Sequence, residues 1–213
     1  MMSNNIQDLL RIASAALSAP VLRAEVSAEI GRDQLNQELA GILEQKNGFF
    51  AFESALHVLP FSARATQLSV ERWNSLDLWR FAYRTLAPQG TFFAQDLFGG
   101  QFALHSGGVF RFNPETAELQ WFADSLEEWA GNLLADPDVE TGWPLARAWQ
   151  QKFGMLKPGM RLVPKIPFVL GGEYAIDNLH PLDACEAMKF YAELAIQIAD
   201  LPEGASVRLR VVE

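Results

Sequence analysis

Three histidines, His57, His105 and His180, are the side chains here best suited to metal ligation or proton transfer near neutral pH. None has a second histidine four residues away, the spacing that places two ligands on one helix face. They stand in ALHVLP, FALHSGG and NLHPLD, which read as a strand or loop, a strand end and a turn before a helix. No metal centre is expected from them. His105-Ser106-Gly107-Gly108 sets a serine beside a histidine, as an activated nucleophile would need. A nucleophile elbow requires G-x-S-x-G between a strand and a helix, yet no glycine lies two residues before Ser106 and a strand follows it. Gly107-Gly108 is expected instead to supply the positive φ angles of a hairpin turn. Gly99-Gly100 and Gly171-Gly172 lack the following G-K-S/T or G-x-G-x-x-G pattern of a phosphate cradle. Cys185, the single cysteine, excludes an intramolecular disulfide and a cysteine-based zinc site, and is expected to act as a small apolar side chain. No catalytic residue, cofactor or metal is therefore expected. An enzyme would need a polar pocket joining one of the histidines to acidic neighbours.

The acids are better placed for recognition than for catalysis. Glu127 and Glu128 fall near a helix N-terminus, where negative charge is favoured in any case. Asp136, Asp138 and Glu140 fall in an expected exposed loop and are the candidate residues for contact with a partner. The whole chain shares their sign, with 26 acidic against 17 basic residues and a formal net charge of −9. Such a surface repels phosphate backbones and anionic membranes but attracts and orients a basic protein. The plainer reading of the acidity is solubility. One or two of the six tryptophans are expected to stay partly exposed, where tryptophan can anchor a partner.

The elements that must position these residues follow from periodicity. The first helix is expected to bury Ile6, Leu9, Leu10, Ala13, Ala16 and Leu17 and to end at Pro20. A second runs from Arg32 to Lys46 on a stripe of Leu35, Leu39, Ile42 and Leu43, stopping at Asn47-Gly48. FFAFESALHVLP reads as extended structure, and Trp73 to Leu86 as one helix. The period then changes to two. TFFAQDL, QFALH, VFRFN and ELQWFA, parted by short turns, predict an antiparallel meander. Ser125 and Glu128 form a capping box for the next helix, and Pro144 opens a short one reaching about Phe153. Strand and turn material follows Met155, then a helix from Asp183 to about Ala199, then a last strand through Val207, Leu209 and Val211. With 213 residues, about half of them apolar (49%), the chain is expected to form an α+β core over residues 1–154. Residues 155–213 form a C-terminal extension, expected to pack on the same unit. The N-terminal stretch has no basic n-region and carries Asp8 and Arg11, and no apolar run reaches membrane-spanning length, so a cytoplasmic protein is expected.

The order of these segments resembles the SUKH superfamily, the Smi/Knr-like proteins. Members show an asparagine-glycine after an N-terminal helix, a glycine-rich turn around a GD-x-F element, and a helix of the SFEEW type behind the sheet. The corresponding stretches are Asn47-Gly48, Phe98-Gly99-Gly100-Gln101-Phe102 and Ser125-Leu126-Glu127-Glu128-Trp129, within roughly Arg32 to Asp136. Gln101 departs from the pattern, standing where an aspartate is common. The resemblance implies a mostly antiparallel sheet with helices packed against it, and a non-enzymatic interaction protein. Many bacterial members are thought to be immunity proteins that neutralise a cognate toxin, often a nuclease, and a basic toxin domain would suit the acidic charge. The alternative it leaves open is a cytoplasmic scaffold or regulatory protein with no toxin partner.

Overall fold

The computed structural model describes residues 4–61, 68–87, 89–199 and 201; the expected last strand lies outside them. The fold is α+β. Three helices come first: α1 (Asn5–Ile12), α2 (Arg23–Ile30) and α3 (Gln34–Gln45). α1 is shorter than its apolar periodicity suggests, because the chain beyond it turns to the sheet. Ser14 N donates to Phe50 O and Leu17 N to Gly48 O, which ties residues 14–17 alongside the first strand. α2 was not expected from the sequence. It buries only Val26 and Ser27, so it carries no apolar stripe to reveal it. α3 follows its expected stripe, and Asp33 caps it by accepting from Asn36 N at 3.1 Å.

The FFAFESALHVLP stretch is a hairpin of β1 (Phe49–Ala51) and β2 (Leu56–Val58), with positive φ at Phe52, Glu53 and Ser54 in the turn. The expected helix over Trp73–Leu86 is broken into α4 (Val70–Trp73) and a 3-10 helix over Arg80–Leu86. Asn74 explains the break. Its side chain donates to Val70 O and Phe92 O and accepts from Phe92 N, so it ends α4 by fastening it to the sheet. The meander then appears at its expected positions: β3 (Thr91–Gln95), β4 (Gln101–His105), β5 (Gly108–Phe112) and β6 (Leu119–Ala123). Strands β1 to β6 form one antiparallel sheet in chain order. The β4–β5 turn takes its positive φ at Ser106 and Gly107, one residue earlier than expected, and Gly108 already pairs with His105 in the ladder.

Three more helices follow the sheet, α5 (Leu126–Ala135), which packs beside α1 and α3, then α6 (Pro137–Thr141) and α7 (Trp143–Phe153). The Ser125 cap on α5 forms, with its hydroxyl accepting from Glu128 N, while Glu128 reaches back to Asp124 N. β7 (Met160–Pro164) and β8 (Leu179–Asp183) make a separate antiparallel pair, and α8 (Ala184–Ala199) is capped by Asp183 as expected.

The core lies on both sides of the six-stranded sheet. Phe93 and Phe102 meet Trp129 of α5 on one side. On the other, Phe92 and Phe112 meet Trp79 and Tyr83. Leu162, Leu179 and Met188 from the C-terminal segment belong to this same buried cluster, and Leu162 N donates to Leu97 O. α8 thus packs beside the 3-10 helix, where the buried Cys185 thiol donates weakly to Leu78 O. Among the described residues, no helix is long and apolar enough to cross a membrane.

Candidate partner-binding site

A cavity of about 510 Å³ opens where β5 runs out into the Asn113–Glu115 turn. Its size falls within the usual range of small-ligand pockets, roughly 300–1,000 Å³. The β3–β4 turn, β5, β6, α6, the loop after β7, and α8 all contribute to its wall.

Asp96 and Arg111 organise one side. One oxygen of Asp96 accepts from Phe98 N (2.9 Å) and Gly100 N (2.8 Å), and the other accepts from Arg111 Nη2 (2.8 Å). Gly100 is needed for this geometry, since a Cβ there would stand 2.4 Å from Asp96 Oδ2. Arg111 Nη1 donates to Glu140 Oε2 at 2.8 Å, and the guanidinium lies over the Phe102 ring. Burial works against the Arg111 charge, but Asp96 and Glu140 outweigh it and hold its pKa above the ordinary value. Burial raises the Glu140 carboxyl despite Arg111 beside it.

Glu115 and a group of aromatic rings make the other side. The buried Glu115 carboxylate accepts from Phe168 N (3.1 Å) on one oxygen and Val169 N (2.7 Å) on the other, so it anchors the loop after β7. Desolvation raises its pKa, and these two amides only partly offset that. Tyr174 stacks on Phe168 with ring centres 3.9 Å apart and planes 4° from parallel, while Phe98 meets both rings edge-on. Tyr191 closes the inner wall, its hydroxyl donating to Phe98 O. Burial, then Glu115 and Asp96, raise the Tyr174 phenol against the opposing effect of Arg111, and burial with the same two carboxylates raises Tyr191 further.

The three acids singled out in the sequence lie on α6 and its cap rather than in a loop, on the element that lends Val139 to the cavity wall. The helix forms because Asp136 accepts from Val139 N and Pro137 occupies its first turn. Asp136 and Asp138 are exposed, and Val139 between them and Glu140 lines the cavity. Glu140 turns inward to Arg111, so it is a paired group and not a free surface charge. The histidines take no part. His57 is buried on β2 against Phe50 and pairs with the Gln95 amide at 3.1 Å, while His105 ends β4 and His180 lies on β8. Among the described residues, no group of three or more His, Cys, Asp and Glu side chains is placed to hold a metal ion.

Sequence reasoning did not find Asp96, Arg111, Glu115, Phe168 or Tyr174 as site residues. Arg111 gave one readable signal, as a charge inside the aromatic strand VFRFN. Glu115 read only as part of a turn after Asn113-Pro114, and its partners are more than fifty residues away. Gln101 is buried, accepting from Trp73 Nε1 (2.9 Å) and donating to Gly99 O (2.8 Å), so the carboxylate at this glycine turn is that of Asp96.

No protein-family model matches the chain, and no curated protein matches it. It is similar to the crystal structure of Atu4351 from Agrobacterium tumefaciens, with a TM-score of 0.56 at 14% identity over 90% of this chain and 89% of that one. At that identity the likeness concerns the fold alone, and it extends the α+β arrangement over nearly the whole of both chains.

Proposed function

We propose that this chain is a non-enzymatic protein-binding module of the SUKH immunity type, which neutralises a basic toxin domain in the cytoplasm. The observation that supports this reading is the mouth of the cavity. Exposed Val139, Val169 and Tyr174 surround a cavity walled by Asp96, Glu115 and Arg111, with Glu140 also bonded to Arg111, so its carboxylates outnumber the one guanidinium in the wall. Exposed apolar and aromatic side chains around a concave centre are what a protein interface uses as anchors. The excess of carboxylates, continued on α6 by Asp136 and Asp138, selects a basic partner and speeds its encounter. A nuclease toxin would present such a surface, since it must bind phosphate.

The test is co-expression with whatever toxin-like domain the neighbouring reading frames encode. Rescue of growth together with a stable, salt-sensitive complex supports the immunity reading. No rescue and no complex, with the protein folded, refutes it and favours a scaffold role.

A further inference from the structure

We propose that the cavity at the end of β5 receives an arginine side chain of the partner. This rests on the protein-binding reading above and names what that site takes. The charge decides the sign of the occupant. Arg111 already donates to Asp96 and Glu140, so an incoming anion would compete with two carboxylates for it. Arg161 lies behind Asp96, fully buried, and donates to Ser54 O, outside the cavity wall. Even with both guanidiniums counted, the three carboxylates leave a negative site.

The shape and the free hydrogen-bonding capacity decide between an arginine and a lysine. Each Glu115 oxygen accepts one backbone N–H, and a carboxylate oxygen has a second lone pair. Glu115 thus keeps a two-pronged acceptor for a guanidinium fork. Beside it, the parallel Phe168–Tyr174 pair offers a planar aromatic surface at the mouth. A guanidinium is planar, weakly hydrated and stacks on such a surface, whereas an ammonium keeps its water more tightly. Val139 and Val169 on the rim suit the methylene stem of the same side chain.

The experiment uses the full-length chain and three small probes, n-butylguanidinium, n-butylammonium and butyrate, followed by NMR at the Val139 and Val169 methyls and the Tyr174 ring. The expected result is saturable shifts at these signals with butylguanidinium, weaker ones with butylammonium and none with butyrate. Tyr174→Ala, which removes an exposed ring that makes no hydrogen bond among the described residues, is expected to weaken butylguanidinium binding about threefold to tenfold. Glu115→Gln is expected to weaken it further, and Tyr174→Ala serves as the decisive variant should the loop held by Glu115 shift. Equal shifts with butyrate, stronger binding of butylammonium, or unchanged affinity in Tyr174→Ala would overturn the proposal. The experiment needs no partner protein, so its failure is distinct from failure of rescue in the co-expression test.

Discussion

Replacing Arg111 by methionine tests whether the Asp96–Arg111–Glu140 triad holds the cavity together. The methionine keeps most of the side-chain bulk over Phe102 but removes the charge. It leaves Asp96, whose side chain is only 4% exposed, and Glu140, at 24%, without their ion-pair partner, with Arg161 behind Asp96 the remaining nearby cation. Breaking a fully buried pair from one side costs about 3–5 kcal/mol. Arg111 is itself 30% exposed, and Asp96 keeps its bonds to Phe98 N and Gly100 N. Both facts reduce the penalty, to about 2–3 kcal/mol at neutral pH. The lost cation–π contact with Phe102 falls within that figure. The pH dependence carries a sign. Burial already raises the Glu140 carboxyl and Arg111 opposes that, so without Arg111 its folded pKa stands further above the unfolded one and the variant loses stability as pH rises through that range. Urea denaturation of both proteins at about pH 4 and about pH 7 should therefore show a gap that widens towards neutrality. A cycle with Glu140→Gln should show non-additivity, as expected for groups in one network. A variant within about 0.5 kcal/mol of the parent at neutral pH would refute the triad as a structural tie.

Three further outcomes follow from the core. Trp79→Ala empties the space between Trp73, Tyr83, Phe92 and Phe112 and should destabilise by about 3–5 kcal/mol in chemical denaturation. Asn47→Ala removes a side chain that donates to Ala19 O and Phe61 O and accepts from Phe61 N; a loss of about 2–4 kcal/mol is expected, and a near-neutral effect would mean these groups find other partners. His57 is kept neutral by burial and then by Arg161, with its pKa well below 6.5. Its contribution is complete above pH 6.5 and declines as pH falls, by up to about 1.4 kcal/mol per pH unit, and His57→Gln should flatten that slope in a pH series of unfolding curves.

The parts legible in the sequence are those set by local pattern. The meander β3–β6 was readable because apolar residues alternate between short turns, and the caps at Ser125 and Asp183 because capping is a contact over two or three residues. What escaped was set across distance. Asn74 breaks an apparently continuous helix by bonding Phe92 eighteen residues later, and α2 has no apolar stripe to announce it. The site shows the same division. The acids of α6 were readable as a charged segment, although Asp136 and Pro137 make it a short helix. Their neighbourhood was not, because Arg111 reaches Glu140 across twenty-nine residues and Glu115 holds Phe168 across fifty-three. No local pattern encodes such pairings.

The most direct test of the central proposal is the salt-dependent affinity for the toxin domain identified by the rescue test, measured for the parent chain, the double variant Asp136→Lys, Asp138→Lys, and Tyr174→Ala. The charge reversal should weaken binding at least about tenfold at low salt and flatten its salt dependence, since opposed charges across an interface act through a screened field. Tyr174→Ala should weaken binding while leaving the salt dependence intact. Affinity and salt dependence unchanged in both variants would contradict the proposal that this acidic, aromatic face is the binding surface.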